Sequence, residues 1–321
     1  MAFLSTSSPL KLALIVLNAE LRCEMAGDLF THLWGQASVK VCADGAANRL
    51  HDSTPAERRG SLLPDVICGD LDSLREDVSR FYATQGVSIL REPEQDSHDF
   101  EKCLRWLQRQ HEALAQSEAS ASEGTSAAES SSAATDHADR PFAVAAYGVR
   151  SAGRAHIPHL VPFHAPFTAV RGERRPTAAH PIPPKNARAR ALVSQAFGGR
   201  LDQQMANLNM LFRSEYTCFE QFVLLSDDSL ALLLLPGAHT IEPNLEVEDG
   251  TCGLVPLGGR CENVVTTGLK WNLDGTMPLE FGALVSSSNQ IVGQTVTVQT
   301  ERPLLWTTSL RKVRREAQGS S

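Results

Sequence analysis

Between Lys11 and about Gln110, apolar runs of strand length alternate with segments of helical spacing, and this alternation most restricts what the chain can become. "KLALIVLN", "SVKVCAD", "PDVICGD" and "VSILRE" read as strands. Residues 23–36, "GAANRLHD", "REDVSRFYATQG" and "DSHDFEKCLRWLQRQHEAL" read as helices; in the last, Phe100, Cys103, Leu104 and Leu107 recur at helical spacing. "PFAVAAYG", residues 141–148, reads as a fifth strand, and "AFGGRLDQQMANLNMLF" as a glycine turn opening a helix. Strands that alternate with helices build a doubly wound, mostly parallel α/β sheet of the Rossmann-like kind. From about Cys218 the grammar changes. "QFVLLSD", "LALLLLPG", "HTIEP", "TCGLVPLGG", "ENVVTTGLKWNL", "ALVSSSNQIVG" and "QTVTVQTERPLLWT" are short strands with turns between them, which predict an all-β sandwich. The expected division is therefore residues 10–215 as an α/β domain and 218–315 as a β-sandwich domain.

Two segments break this pattern. Residues 116–140 are Ala, Ser, Glu and Thr with almost no large apolar side chain, a composition that predicts disorder. Val149 to Gln195 carries seven of the seventeen prolines and eight Lys/Arg against one acidic residue, Glu173, with no sustained period.

Charge and composition exclude several classes. The net charge of −7 gives no global electrostatic case for nucleic acid or an anionic membrane. "LALIVL" is a strand-length apolar run that leads into Asn18 and Glu20, so it reads as a first strand rather than a signal peptide or membrane span. The seven cysteines are odd in number and lack paired metal spacing, which predicts reduced thiols in a cytoplasmic protein.

The chemistry concentrates where strands end. In "VICGDLDSL" two carboxylates, Asp70 and Asp72, follow a buried strand and repel each other unless a cation or proton sits between them. A hard divalent ion such as Mg²⁺ takes one or two carboxylates plus substrate phosphates. The alternative is a turn with Ser73 as helix cap and Glu76 completing a capping box. "CADGAANRL" repeats strand, Asp44, glycine and helix; it marks a phosphate approach or an ordinary turn. "QDSHDFEKCL" sets Asp96, Asp99 and Lys102 along one helix face, either as a metal and phosphate group or as a cap with an internal ion pair. "AFGGRLDQQ" joins Gly198 and Gly199 to Arg200, Asp202 and Gln203, suited to phosphate or to a surface charge pair. In "TTGLKWNL", Trp271 beside Lys270 is either core or a stacking platform.

Taken in order, "ADGAANRL", "GDLDS", "QDSHDFEKCL", "GGRLDQ", "TTGLKWNL", "LVSSSN" and "VTVQTERPLLWT" resemble the eukaryotic thiamin pyrophosphokinases. The resemblance covers nearly the whole chain apart from both ends, residues 116–140 and 149–195. It implies transfer of a pyrophosphoryl group from ATP to the hydroxyl of thiamin, giving thiamin diphosphate and AMP. It also implies Mg²⁺ held by Asp70, Asp72 and Asp99, with Asp44, Asn48, Lys102, Arg200 and Gln203 around the ATP and Asp202 orienting the thiamin hydroxyl. It further implies a homodimer with thiamin at the subunit boundary, where Trp271 stacks on its ring and Ser287, Ser288 and Asn289 give polar contacts. The rival readings are a non-catalytic thiamin- or nucleotide-binding homologue and an unrelated Mg²⁺-dependent nucleotide hydrolase.

The departure from the family lies at 149–195. Removing it leaves "FAVAAYGAFGGRLDQQM", an uninterrupted strand, turn and helix. Val is encoded by GTN and Gln can be encoded by CAG, the bases expected at the two ends of an intron. The segment is thus read either as intron-derived or as a disordered surface insertion.

Overall fold

The computed structural model describes residues 11–18, 29–94, 97–123, 169–174, 189–197, 200–213, 216 and 219–311. The first half contains β1 (Lys11–Val16), α1 (Leu29–Gln36), β2 (Val39–Ala43), α2 (Ala46–Ser53), β3 (Val66–Gly69), α3 (Glu76–Thr84), β4 (Ser88–Arg91) and α4 (Asp99–Glu123). Then come β5 (Ala169–Arg174), β6 (Ala189–Ser194), α5 (Leu201–Met210), β7 (Phe219–Leu225), β8 (Ser229–Leu234) and β9 (Gly237–Glu242). The chain closes with β10 (Glu248–Val255), β11 (Val265–Thr267), β12 (Ser286–Gln290), β13 (Val296–Thr300) and β14 (Leu304–Leu310).

One long sheet runs in the order β12-β10-β14-β8-β7-β6-β1-β2-β3-β4. From β7 to β4 neighbouring strands are parallel; from β7 to β12 they are antiparallel. Parallel strands covered on both faces must be apolar on both faces, and Ala13 to Val16 of β1 are all buried. Their side chains alternate between two cores. Leu14, Val16, Cys42 and Ile67 face Trp34, Leu50 and Tyr82 of α1, α2 and α3. Ala13, Ile15, Val41 and Cys68 face Phe100, Leu104 and Met210 of α4 and α5. Helices on both faces make this half doubly wound, as expected. A second, antiparallel sheet in the order β11-β13-β9-β5 forms the other layer of the sandwich, and Ile241, Val296 and Val298 share a core with Leu232 and Trp306 of the long sheet.

Four expectations are corrected. "QFVLLSD" is β7, the sixth parallel strand rather than the first strand of a separate domain, and the long sheet crosses the boundary drawn near 218 without a break. The segment 149–195 is not devoid of regular structure. It supplies β5, paired with β9, and β6, which fills the central slot between β1 and β7. Averaging the composition over the whole segment hid the short run Ala191-Leu192-Val193, buried on both faces. The fifth-strand candidate 141–148 lies outside the described residues. Helix α4 continues to Glu123, past 116, because Ala and Glu are strong helix formers. In "ENVVTTGLKWNL" only Val265–Thr267 is strand, and Gly268 to Asn272 form a turn.

The slot held by β6 gives the deletion idea a physical test. Gln195, just after β6, has φ 63°, a left-handed conformation that favours glycine. Removing 149–195 puts Gly148 at that position and residues 142–147 on the six positions of β6. On the α4 side Ala191 and Val193 become Val144 and Ala146, which conserves volume. The shortened chain is expected to fold and to melt cooperatively at or above the temperature of the full chain in a thermal denaturation scan. A shortened chain without a cooperative transition would contradict this.

Candidate active site

The crossover from one side of the sheet to the other falls between β1 and β6, and the carboxyl ends of parallel strands at such a point form a crevice. The cleft here has a volume of about 1240 Å³. Its lining includes Asn18 after β1, Arg49 on α2, Asp70 after β3, Asp99 on α4, Gln195 after β6 and the Ser226–Ser229 turn after β7. Arg200 and Gln203 line it as well.

At the Asp70 end of the cleft, Asp44, Asp70 and Asp72 bring carboxylate oxygens within 4.8 Å of one another, an arrangement able to hold a metal ion. Asp44 is fully buried at the end of β2. Its Oδ2 accepts the backbone N–H of Ser73 at 3.1 Å, while its buried Oδ1 has no hydrogen-bond partner among the described residues. Burial raises the Asp44 carboxyl to about 6; the Ser73 N–H opposes this, and Asp99, Asp70 and Asp72 add to it by repulsion. An orphaned, buried carboxylate oxygen among two further carboxylates is what a hard divalent cation would satisfy, so the residues fit Mg²⁺.

Backbone geometry makes this approach possible. A Cβ on Gly69 would lie 2.6 Å from Asp44 Cβ and 3.1 Å from Asp99 Oδ1, so only glycine lets β3 pass so close to both carboxylates. Leu71, between Asp70 and Asp72, has φ 66° and packs its side chain on the core, which holds the loop in a left-handed turn. The Asn48 amide spans this loop: its Nδ2 donates to Ser73 O at 2.7 Å and its Oδ1 accepts the Arg75 N–H at 3.1 Å.

Asp99 approaches Asp44 across Gly69 and is joined to Asp70 through Lys102. The Lys102 ammonium is 2% exposed and pairs at 3.2 Å with both Asp70 and Asp99. Burial pushes the Asp70 carboxyl up, but the Asp72 N–H and Lys102 outweigh it and hold the group below its usual range. At Asp99 burial wins over Lys102, and the pKa is raised. Burial alone would lower Lys102, yet its two carboxylate partners raise it.

The structure thus separates the expected residues into groups. Asp44 joins Asp70 and Asp72, where the sequence placed Asp99. Lys102 is committed to two carboxylates and does not line the cleft. Asp202, 64% exposed, pairs with Arg200 through both of its oxygens and also lies off the cleft lining. Ser73 does not cap α3; its N–H serves Asp44 and its hydroxyl donates to Asp72 at 3.0 Å. Asp96, Gly198 and Gly199 lie outside the described residues. Asn18 and Arg49 were missed. Asn18 follows a strand like the aspartates do, but a lone Asn there carries no distinguishing signal.

The thiamin candidates sit elsewhere. Trp271 is 56% exposed on the turn after β11, with the Lys270 ammonium 4.7 Å from its ring centre. Asn289 on β12 is buried and clamps that turn: Oδ1 accepts the Trp271 N–H at 3.2 Å, and Nδ2 donates to Trp271 O at 2.8 Å. Ser287 and Ser288 beside it are exposed, Ser288 with φ 55°. Strand β12 is eight steps from β3 in the sheet, roughly 38 Å at ~4.8 Å per step. Within one chain, therefore, Trp271 and the carboxylates lie far apart.

The comparisons with known proteins follow the same layout. A family model described as thiamin pyrophosphokinase, catalytic domain, matches residues 30–126, and one described as thiamin pyrophosphokinase, vitamin B1 binding domain, matches 238–305. The chain is 31% identical over 312 residues to thiamine pyrophosphokinase 2 of Arabidopsis thaliana, covering 94% of this chain and 86% of the relative. It is 28% identical over 286 residues to the thiamine pyrophosphokinase of Saccharomyces cerevisiae, covering 87% and 79%. The fold matches the crystal structure of yeast thiamin pyrophosphokinase with a TM-score of 0.68 at 22% identity, over 96% of this chain and 88% of that one. It matches thiamin pyrophosphokinase from Candida albicans at 0.65 and 21% identity, over 94% and 89%.

The close passage at Gly69 yields a direct test. Gly69→Ala forces Asp44 and Asp99 apart and is expected to cost about 1–3 kcal/mol in urea unfolding, as overpacking does. Unchanged stability would mean that the carboxylates do not depend on this contact.

Proposed function

Because the chain belongs to the thiamin pyrophosphokinase family, we propose that it transfers a pyrophosphoryl group from ATP to thiamin and that the strand-end cleft is where it does so. ATP is the co-substrate. The thiamin hydroxyl oxygen bonds to the β-phosphorus, the bond from that phosphorus to the α,β-bridging oxygen breaks, and AMP departs with the electron pair. Such catalysis is mainly positioning and charge stabilisation. The observation that carries the reading is the Asp44–Asp70–Asp72 cluster beside a cleft of nucleotide size.

In this reading Asp44, Asp70 and Asp72 hold Mg²⁺, which neutralises phosphate charge. Lys102 fixes the orientations of Asp70 and Asp99. Asp99 lines the cleft with a raised pKa and is placed to take the hydroxyl proton of thiamin. Arg200 and Gln203 contact the triphosphate, and Asp202 orients Arg200. Asn48 acts through the loop it clamps and is a positioning residue.

We assign thiamin to a site completed by a second copy of the chain. Trp271 of one subunit stacks on the thiamin ring against the cleft of the other, with Ser287 and Ser288 as polar contacts and Asn289 holding the Trp271 turn. The strand order and the exposure of Trp271 support this, as do Met277 and Phe281, large apolar side chains exposed on the same half of the molecule. Among the described residues no helix is long and apolar enough to cross a membrane. Cys42, Cys68, Cys103, Cys252 and Cys261 are buried thiols rather than disulfides, which supports a reducing, cytoplasmic setting.

The purified chain given ATP, Mg²⁺ and thiamin is expected to form AMP and thiamin diphosphate in equal amounts, measured by chromatography. Hydrolysis of ATP without thiamin diphosphate, or binding of either substrate without turnover, would sink the assignment.

The shared site makes a separate prediction. Trp271→Ala and Asp70→Asn homodimers are each expected to be inactive. Refolding them together should restore about a quarter of the activity, since half of the dimers carry one intact site. No recovery would place the whole site within one chain.

A further inference from the structure

Resting on that reading, we propose that Arg49 grips the pyrophosphoryl group being transferred, and that Asn18 is the residue that positions it. Arg49 lies on α2 and lines the cleft together with Asp70 and Asp99. Apart from Arg200, no other Lys or Arg among the described residues lines that cleft. Arg200 is tied to Asp202, and Lys102 is consumed by Asp70 and Asp99. Arg49 pairs with no carboxylate among the described residues. Its Nε donates to Asn18 Oδ1 at 2.7 Å, which leaves the two terminal nitrogens of the guanidinium as a fork suited to two phosphate oxygens.

The anchor is itself built into the fold. Asn18 stands at the carboxyl end of β1, beside the crossover point of the sheet. A Cβ on Gly45 would meet Asn18 Nδ2 at 2.5 Å, so the missing side chain at Gly45 is the space in which the Asn18 amide sits. Gly45 makes room for Asn18, Asn18 holds the Nε of Arg49, and the fork is fixed before substrate arrives. A cation held in advance loses little freedom on binding and needs no reorganisation as charge shifts.

The transferred group also requires such a cation. ATP brings four negative charges, and one divalent ion removes two of them. As the thiamin oxygen bonds to the β-phosphorus and AMP departs, the non-bridging oxygens of the moving group keep their charge. Arg49 lines the same cleft as Asp70, which belongs to the carboxylate cluster that would hold the metal.

The test uses the full chain with Arg49→Met, Arg49→Lys and Asn18→Ala, measuring steady-state rates, product inhibition and melting temperature. Arg49→Met is expected to lower kcat/KM for ATP roughly a hundredfold, the scale of a lost transition-state donor. KM for thiamin and the melting temperature should stay as in the parent. Inhibition by inorganic pyrophosphate should weaken along with the rate, while inhibition by AMP is unchanged. Arg49→Lys should recover part of the loss, and Asn18→Ala should shift the same quantities in the same direction by less. Parent-like kinetics in Arg49→Met would overturn the proposal, as would weakened AMP inhibition with pyrophosphate inhibition intact, which assigns Arg49 to the leaving nucleotide. If the parent chain itself makes no thiamin diphosphate, the function fails first. Calorimetry of pyrophosphate binding to parent and Arg49→Met then decides the role of Arg49 separately, with equal affinities overturning it.

Discussion

Three carboxylates share one corner of this molecule, and their mutual repulsion has to be relieved by a cation or a proton. Asp44 shows the problem most clearly: it is fully buried, one of its oxygens has no partner, and its pKa is driven up to about 6. A protein that needed only a folded sheet would place an apolar residue there. The surrounding structure instead works to keep the carboxylates together. Gly69 removes the side chain that would separate Asp44 from Asp99, Leu71 accepts an unfavourable backbone angle, and Asn48 ties the loop to α2. Lys102 answers the charge on Asp70 and Asp99, and no ion pair among the described residues answers that on Asp44, the position the proposed metal would serve.

The continuous sheet gives this corner its context. Because β7 joins the parallel strands and also begins the antiparallel ones, a single hydrogen-bonded ladder fixes the distance between the carboxylates and the Trp271 turn. That distance is too long for a single thiamin molecule to bridge within one chain. In the proposed reading a second copy supplies the missing half of the site, and the clamp of Asn289 on Trp271 prepares the ring-stacking surface it would offer.

Much of this was legible in the sequence because strand ends announce themselves. Apolar runs halted by Gly69-Asp70 and by Asp44-Gly45 gave the sheet, the direction of its strands and the position of the crevice. The composition of the sites was less readable. Which aspartates come together depends on how β2 and β3 lie side by side, a relation with no trace in helix spacing, so the place of Asp44 beside Asp70 and Asp72 was not read from the sequence. For Lys102 the sequence left a phosphate role and an ion pair with Asp99 both open, because burial cannot be read from an i, i+3 pair; the structure shows the pair with Asp99 and adds Asp70. The same limit applies to Arg49, which looks like any surface arginine on an amphipathic helix until Asn18 is seen beside it. The segment 149–195 misled in another way: its prolines and charges dominate its average, while six ordinary residues within it form the central strand.

The most direct test of the central claim is divalent cation binding, measured by electron paramagnetic resonance of Mn²⁺ in the presence of a non-hydrolysable ATP analogue. The account predicts tight Mn²⁺ binding to the parent chain, loss of it in Asp44→Asn and in Asp70→Asn, and retention in Asp99→Asn. Undiminished binding in Asp44→Asn together with loss in Asp99→Asn would show that the metal sits on the Lys102 side, and would contradict the triad.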